Sequence, residues 1–362
     1  ENSYCNCNEG IPFIKAGDLS DLLSGKLETE IQCVNEIVAK QHKLKLYPAG
    51  SILFAKSGMS CMKGYVYRTK NPCYIVSHLA IVIPQGIDGE YLKYYFQHNK
   101  PNALIKDSAY PSISLQDISN IELTVPSLDI QASIASELNK VNMLISLRKQ
   151  QLLKLDELVK SRFVELFGDQ ETNPYNLNVG KLSDVADIYL GLTHTPTYVE
   201  QGKPFLSVRD ISSGVIDFSN CHYITEEEFD SLPNGARPKV GDMLFCRVGT
   251  IGKPVIIPEN TPEFGTFVSV GYLRKKVNVN NYYLKSWMEN DYFMRQVYDN
   301  VAGASQINLN TGWLKNFRIL IPSLELQEQF AAFVEQTDKS KFEIQKSLEK
   351  LETLKKALMQ KY

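Results

Sequence analysis

The run Arg247-Val248-Gly249-Thr250-Ile251-Gly252-Lys253 sets two glycines between two cations. Glycines let backbone N–H groups come close to an anion, and Arg247, Thr250 and Lys253 would add charge and a hydroxyl, so phosphate contact is the chemistry this run suits. It is not a nucleotide-binding Walker loop, because the position five before Gly252 is Arg247 rather than glycine. A related run, Lys56-Ser57-Gly58-Met59-Ser60, keeps the base and the first glycine but lacks the second glycine and the lysine. The plainer alternative in both places is a glycine-rich hairpin with no ligand.

Basic residues gather around each run. Between positions 37 and 86 stand Lys40, Lys43, Lys45, Lys56, Lys63, Arg68 and Lys70 with no acidic residue, interleaved with Tyr65, Tyr67 and His78. Such a mixture offers phosphate-attracting charge and side chains able to reach bases, which makes Lys56, Ser57, Lys63, Tyr65, Tyr67 and Arg68 candidates. A second cluster, Arg237, Lys239, Arg247, Lys253, Arg274, Lys275 and Lys276, is diluted by Asp242, Glu259 and Glu263. One such run reads most simply as a solvated face; two in corresponding parts of a chain point further. Further polar candidates are His194, Thr195 and Thr197, then Arg209, then Ser305, Gln306 and Asn308. Asn and Gln can pair bidentately with adenine, Arg with guanine, and Ser or Thr with base or phosphate.

Catalytic patterns are missing. There is no G-x-S-x-G elbow, no H-E-x-x-H pair, and the five histidines (His42, His78, His98, His194, His222) are scattered. Asn173-Pro174-Tyr175 is similar to the Asn-Pro-Pro-Tyr motif of adenine methyltransferases, but it lacks the second proline and no glycine-rich methyl-donor loop precedes it, so it reads as a turn. Cys5 and Cys7 have the spacing of metal ligands, yet no second pair follows them.

The elements that must position these residues come as a repeat. Residues 121–131, IELTVPSLDIQ, match residues 317–327, FRILIPSLELQ, at an offset of 196. Each match runs into a long heptad-like helix. In the first, Ile134, Leu138, Val141, Ile145, Leu152, Leu155, Val159 and Leu166 form a seam interrupted by Arg148 and Arg162. The second carries Phe330, Val334, Ile344, Leu348, Leu351 and Leu358, with Lys341 and Lys355 where the first has Ile145 and Val159. Neither stripe is continuous, so the two helices are expected to pack on each other or on helices of a partner. A helix of about 38 residues would extend roughly 57 Å, far more than a compact domain needs.

The segments before the helices repeat loosely. GIPFI at 10–14 answers GKPFL at 202–206, and Asp18-Leu19 answers Asp210-Ile211. GSILFAK at 50–56 answers GDMLFCR at 241–247, each a turn entering a short buried strand, and YLKYYF at 91–96 answers YLKSWM at 283–288, each a short helix. Runs such as Tyr74-Ile75-Val76 and Val255-Ile256-Ile257 add strand character. The expected fold is α+β: two strand-rich domains in tandem, each followed by a long helix, the two helices forming an antiparallel coiled coil. The boundaries are 1–126 for the first domain, 127–167 for its helix, 168–180 for a linker, 181–322 for the second domain and 323–362 for its helix.

Whole-chain totals fit that plan. A length of 362 residues with 43% hydrophobic and 22% charged residues suits two or three folded units. Lys plus Arg (39) nearly balances Asp plus Glu (41), a net charge of -2, so a chain that held nucleic acid would need clustered charge or a partner supplying the rest. Seven cysteines at irregular spacing without a secretory leader favour a reducing cytoplasm over a disulfide framework, and no apolar run is long enough to cross a bilayer. The sequence starts at Glu1 without an initiator methionine, and the strand-like lead-in at 182–191 has no counterpart before it, so an N-terminal piece is expected to be missing.

The alternation of variable unit, PSLDIQ or PSLELQ, and long helix resembles the specificity subunit of type I restriction-modification systems over essentially the whole chain. The segments GIPFIKAGDL and GKPFLSVRDI, the run GDMLFCRVGTIGK, the linker FGDQETNP and the junction SQINLNTGWLKNFRILIPSLELQEQ carry that resemblance. It implies two target recognition domains, each reading one half of a split, asymmetric site in double-stranded DNA, with the paired helices as a spacer. It also implies two modification subunits that methylate adenine with S-adenosylmethionine, and restriction subunits that use ATP and Mg. This chain would bind no cofactor, catalyse nothing and work in a bacterial or archaeal cytoplasm. The first unit departs from the pattern, since its counterpart of the His194–Thr197 loop is Asn2-Ser3-Tyr4-Cys5, and no DNA contact transfers there. Two other readings stay open: the specificity part of a self-contained restriction-methyltransferase, and a coiled-coil scaffold with no DNA role.

Overall fold

The computed structural model describes residues 10–276, 279–301 and 307–361, and two compact units emerge from it, Glu1–Lys149 with Lys346–Tyr362 and Gln150–Gln345. The boundary therefore falls inside both long helices. Each unit takes one globular domain, the root of the helix that follows it and the far end of the other helix, a division that a linear list of domains does not express.

The first unit contains strands β1 (Ile11–Ile14), β2 (Cys33–Val34), β3 (Leu46–Tyr47), β4 (Ile52–Ala55), β5 (Val66–Arg68), β6 (Cys73–Ile75) and β7 (Leu79–Val82). Its helices are α1 (Asp18–Leu23), α2 (Glu36–Gln41), α3 (Gly89–His98), α4 (Leu115–Ser119) and the first part of α5 (Leu128–Phe167). One sheet has the order β2-β1-β6-β3 with β1 and β6 parallel, and a second, antiparallel sheet has the order β5-β4-β7. Strand β4 reads Ile-Leu-Phe-Ala and is buried at every position, which explains why its sequence shows no polar alternation.

The second unit has β8 (Asn178–Lys181), α6 (Leu182–Val185), β9 (Ala186–Leu190), β10 (Lys203–Leu206), β11 (His222–Ile224) and α7 (Glu226–Ser231). There follow β12 (Met243–Cys246), β13 (Val255–Ile256), β14 (Gly265–Thr266), β15 (Val270–Lys275), α8 (Asn281–Met288), α9 (Asp291–Asn300), α10 (Thr311–Asn316), β16 (Arg318–Ile321) and α11 (Leu324–Lys361). The order β11-β10-β14, with β10 and β14 parallel, repeats β2-β1-β6; the order β13-β12-β15 repeats β5-β4-β7. Two domains of little sequence likeness thus share one strand plan. The second adds β9 beside β15 and the antiparallel pair β8–β16.

That last pair changes the reading of residues 168–180. Gly168, Asn173 and Asn176 take positive φ of 70°, 49° and 52°, as turn residues do, but the segment is tied down rather than loose. The Asp169 carboxylate accepts from the backbone N–H groups of Glu171 and Thr172, Asn173 exchanges two bonds with the backbone of Leu177, and Arg318 donates to the carbonyls of Gln170 and Glu171. Asn178 then begins β8.

The repeated PSL motif has a buried purpose. Gln131 and Gln327 are 1% and 0% exposed. In the first unit Gln131 Nε2 donates to the Pro126 carbonyl at 2.7 Å and its Oε1 accepts from Asp88 N at 2.7 Å. In the second, Gln327 Nε2 donates to the Pro322 carbonyl at 2.9 Å and its Oε1 accepts from Asn280 N at 2.8 Å. Asp88 and Asn280 are the N-caps of α3 and α8. Beside each clamp a tyrosine hydroxyl caps a carbonyl, Tyr91 on Thr124 and Tyr283 on Leu320.

Within each unit the long-helix segments run antiparallel. In the second, Phe163 and Phe167 of α5 pack on Phe330 of α11 and on Tyr283, with ring centroids 4.7–5.5 Å apart, and Lys341 pairs with Asp156 at 2.7 Å. In the first, Ile134 and Leu138 cluster with Tyr91, Tyr94, Leu358 and Met359, and Lys149 lies 3.7 Å from Glu352. Cys61, Cys73, Cys221 and Cys246 are free and buried. Cys5 and Cys7 lie outside the described residues, among which no His/Cys/Asp/Glu group could hold a metal and no helix is long and apolar enough to cross a membrane.

Candidate nucleic-acid interface

In the second unit the chain leaves β12 at Arg247 and is met there by two other segments. Arg247 N donates to the Ser269 carbonyl and Leu309 N to the Arg247 carbonyl, both at 2.9 Å, while Val248 and Asn308 form an isolated antiparallel bridge. The loop after β9 joins them, because Leu192 N donates to the Thr266 carbonyl and Val268 N to the Leu192 carbonyl. Gly191 permits that crossing: a Cβ there would overlap the carbonyls of Thr266 and Phe267. The sheet end thus gathers the residues after Leu192, Arg247 and Ile307.

The first unit builds the same frame from other residues. Lys56 N donates to the His78 carbonyl at 2.9 Å, Ile113 N donates to the Lys56 carbonyl at 2.8 Å, and Ser57 bridges Ser112. Lys56 thus stands where Arg247 does. Helices α4 and α10 follow, N-capped by Ser114 and Asn310.

Side chains fill the two frames differently. The Arg247 guanidinium points into the protein: Nε donates to the Leu309 carbonyl at 3.0 Å, Nη1 to the Val268 carbonyl at 2.9 Å and Nη2 to Asn308 Oδ1 at 3.3 Å. Burial lowers its pKa from the usual arginine range. Arg247 therefore ties the converging segments together. Lys253 is exposed and Thr250 half-buried, and Gly249 and Gly252 have φ of +74° and +81°, so the loop keeps the glycine conformations that suit an anion. In the first unit Ser57 Oγ lies 2.8 Å from His78 Nδ1, linking the loop after β4 to the turn before β7.

Other candidates divide sharply. His194, Thr195 and Thr197 are exposed on the loop after β9, and Asn308 is exposed beside Arg247. Lys63 is exposed over the half-buried ring of Tyr65, 5.7 Å from its centroid. Arg209 stays half outside, with Nη2 on the Asn220 carbonyl and Nε on Asp210. Tyr67 is 7% exposed, and its hydroxyl donates at 2.8 Å to Glu28, a buried carboxylate that also accepts from the backbone of Lys70 and Asn71. Arg68 is part-buried and pairs with Glu90 at 3.0 Å. Ser305 and Gln306 lie outside the described residues.

The basic clusters are thinner than they read. Arg274 makes a bidentate pair with the buried Asp242 and lies over the rings of Tyr189 and Tyr272, Arg237 holds the carbonyls of Asp230 and Leu232, and Lys276 holds that of Ser183. Lys239, Lys253 and Lys275 remain exposed. Sequence reading missed one pair, Tyr198 and His222, whose rings stack at 4.0 Å and 16° directly after the His194–Thr197 loop, with Tyr198 41% exposed. Twenty-odd residues separate them, so only strand pairing at Val199 and Tyr223 brings them together.

Comparison with known proteins agrees with this duplicated plan. The model of the type I restriction modification DNA specificity domain matches residues 3–157 and again 174–356. Across 97% of this chain and 85% of the relative, 23% of residues are identical to the type I restriction enzyme MjaIX specificity subunit of Methanocaldococcus jannaschii. The MjaVIII specificity subunit of the same organism is 21% identical over 96% and 84%. The fold resembles the S subunit of a type I restriction-modification system from M. genitalium, at TM-score 0.52 and 15% identity over 87% of this chain and 83% of that one. It also resembles a chain from a structural study of complex assembly and conformational transition of the type I R-M system, at TM-score 0.58 and 16% identity over 100% and 94%. With the specificity-domain model matched twice along most of its length, the chain belongs to the type I restriction modification DNA specificity family.

Proposed function

We propose that each unit reads one half of a bipartite, asymmetric site in double-stranded DNA, and that the chain scaffolds two modification subunits and, where present, restriction subunits. The chain is the DNA-recognition subunit of a type I system; the division of labour between its halves is the finer reading. The observation that carries it is the common frame filled by unlike side chains: Lys56, Ser57 and Ser112 in one unit, Arg247, Val248 and Asn308 in the other. One backbone plan carrying two different sets of side chains is what two readers of different sequences require.

Catalysis belongs to the partners in this reading, with S-adenosylmethionine on the modification subunits and ATP and Mg on the restriction subunits, all in the cytoplasm of a prokaryotic cell. The long helices support the docking role. Outside their mutual seam α5 leaves Met143, Leu144 and Leu147 exposed in the first unit and Leu153, Leu158 and Val164 in the second, apolar surface of the kind partner helices cover. Partners also answer the near-neutral charge, since they can supply further phosphate contacts.

The test is to assemble the chain with its modification subunit and map methylated adenines in DNA. One split motif with a fixed gap is expected. Methylation by this chain alone, or no sequence-selective binding by the complex, would overturn the reading.

A further inference from the structure

The twin glutamine clamps have a use beyond holding the fold. We propose that Gln131 and Gln327 are positioning residues for the spacing of the DNA site: each fixes the direction in which its long helix leaves its own recognition domain. The inference rests on the bipartite reading and adds what sets the gap.

The chemistry of each clamp leaves one orientation of the amide. A backbone N–H can only donate and a carbonyl can only accept, so Oε1 must face Asp88 N or Asn280 N, and Nε2 must face the carbonyl of Pro126 or Pro322. Both glutamines sit one turn into their helix, with backbone N–H groups bonded to Ser127 and Ser323. Their partners belong to the residue before the helix cap and to the cap of the domain's own helix α3 or α8. The side chain therefore bolts the root of the long helix to the globular domain. The adjacent Tyr91 and Tyr283 hydroxyls make a second bolt onto the strand-like segment leading into the motif. Two domains with different surfaces keep this geometry within 0.2 Å in every clamp bond. Stability alone does not need a polar group here, because an apolar side chain of similar volume could fill a buried site; a directional bond at a domain–helix joint selects an angle.

The experiment uses the assembled complex with modification subunits and a plasmid library in which the two half-sites are separated by the wild-type gap or by one or two base pairs more or fewer. Gln327→Met and Gln131→Met keep side-chain length and lose both bonds. The half-site sequences should stay as in the wild type, while preference for the native gap over its neighbours falls by about tenfold or more. Tyr283→Phe, which removes only the second bolt, serves if the methionine variants do not fold and should relax the gap more weakly. Unchanged gap preference in the folded variants, even with lower overall methylation, would overturn the proposal. A wild-type complex that methylates no split site would instead overturn the bipartite reading.

Discussion

Asn308 Oδ1 lies 3.3 Å from Arg247 Nη2, the outermost of three bonds by which one guanidinium holds the segments after β12, β14 and Ile307. Arg247 thus braces this end of the sheet. Arg247→Ala leaves two partly buried carbonyls without their donors and is expected to destabilise the second unit by about 2–3 kcal/mol. Hydrogen exchange at Leu309 should quicken. Arg247→Lys keeps the charge but cannot reach three acceptors, so it should behave like a milder Arg247→Ala. Wild-type DNA binding by Arg247→Lys, against weak binding by Arg247→Ala, would return the residue to a phosphate role.

Lys253 and Lys63 are exposed, and loss of either should act on phosphate alone. Lys253→Ala and Lys63→Ala are each expected to weaken binding evenly across sequences and to lower the salt slope of log K by roughly one, with thermal stability unchanged. An unaltered slope would mark the lysine as a solvated surface charge.

How far the sequence revealed these roles depends on the distance over which a partner had to be found. The tandem plan and the seams of the long helices were legible, because both are local periodicities; even the intrusion of Lys341 and Lys355 into the seam could be counted off. The motif glutamine was visible only as a repeated letter, since its partners are 43 and 47 residues away at Asp88 and Asn280. Arg247 suited phosphate by its neighbours, but carbonyls at Val268 and Leu309 claim it. Tyr67 lies in a strand where Val66 and Tyr67 are both buried, so alternation gave no sign of which face was wet.

Tyr67 is accordingly expected to bear on stability rather than on DNA. Tyr67→Phe removes one donor from Glu28, whose remaining partners are the backbone of Lys70 and Asn71 and the Asn71 side chain. A loss of about 1 kcal/mol is expected in denaturant unfolding, with DNA affinity unmoved once the variant is folded. A binding defect without a stability defect would contradict the inward placement.

The two seam lysines should respond oppositely to replacement. Burial opposes the charge on Lys341, but its bonds to Asp156 and Asp338 outweigh that and raise its pKa. Lys355 has its pKa lowered, first by burial and then by Lys93 and Lys149, with only Glu352 pulling the other way. Lys341→Met removes a part-buried ammonium whose charge Asp156 and Asp338 compensate and should destabilise the helix pair slightly, whereas Lys355→Met removes an ill-compensated charge and should stabilise it by roughly 1 kcal/mol. A lysine whose folded pKa lies below its unfolded value binds fewer protons when folded, so its penalty is complete below the lowered pKa and fades as pH rises towards the usual 10.5. The gain in melting temperature from Lys355→Met should therefore be full near neutrality and shrink in alkaline buffer. A gain that stays constant with pH would mean that methionine helps by packing alone.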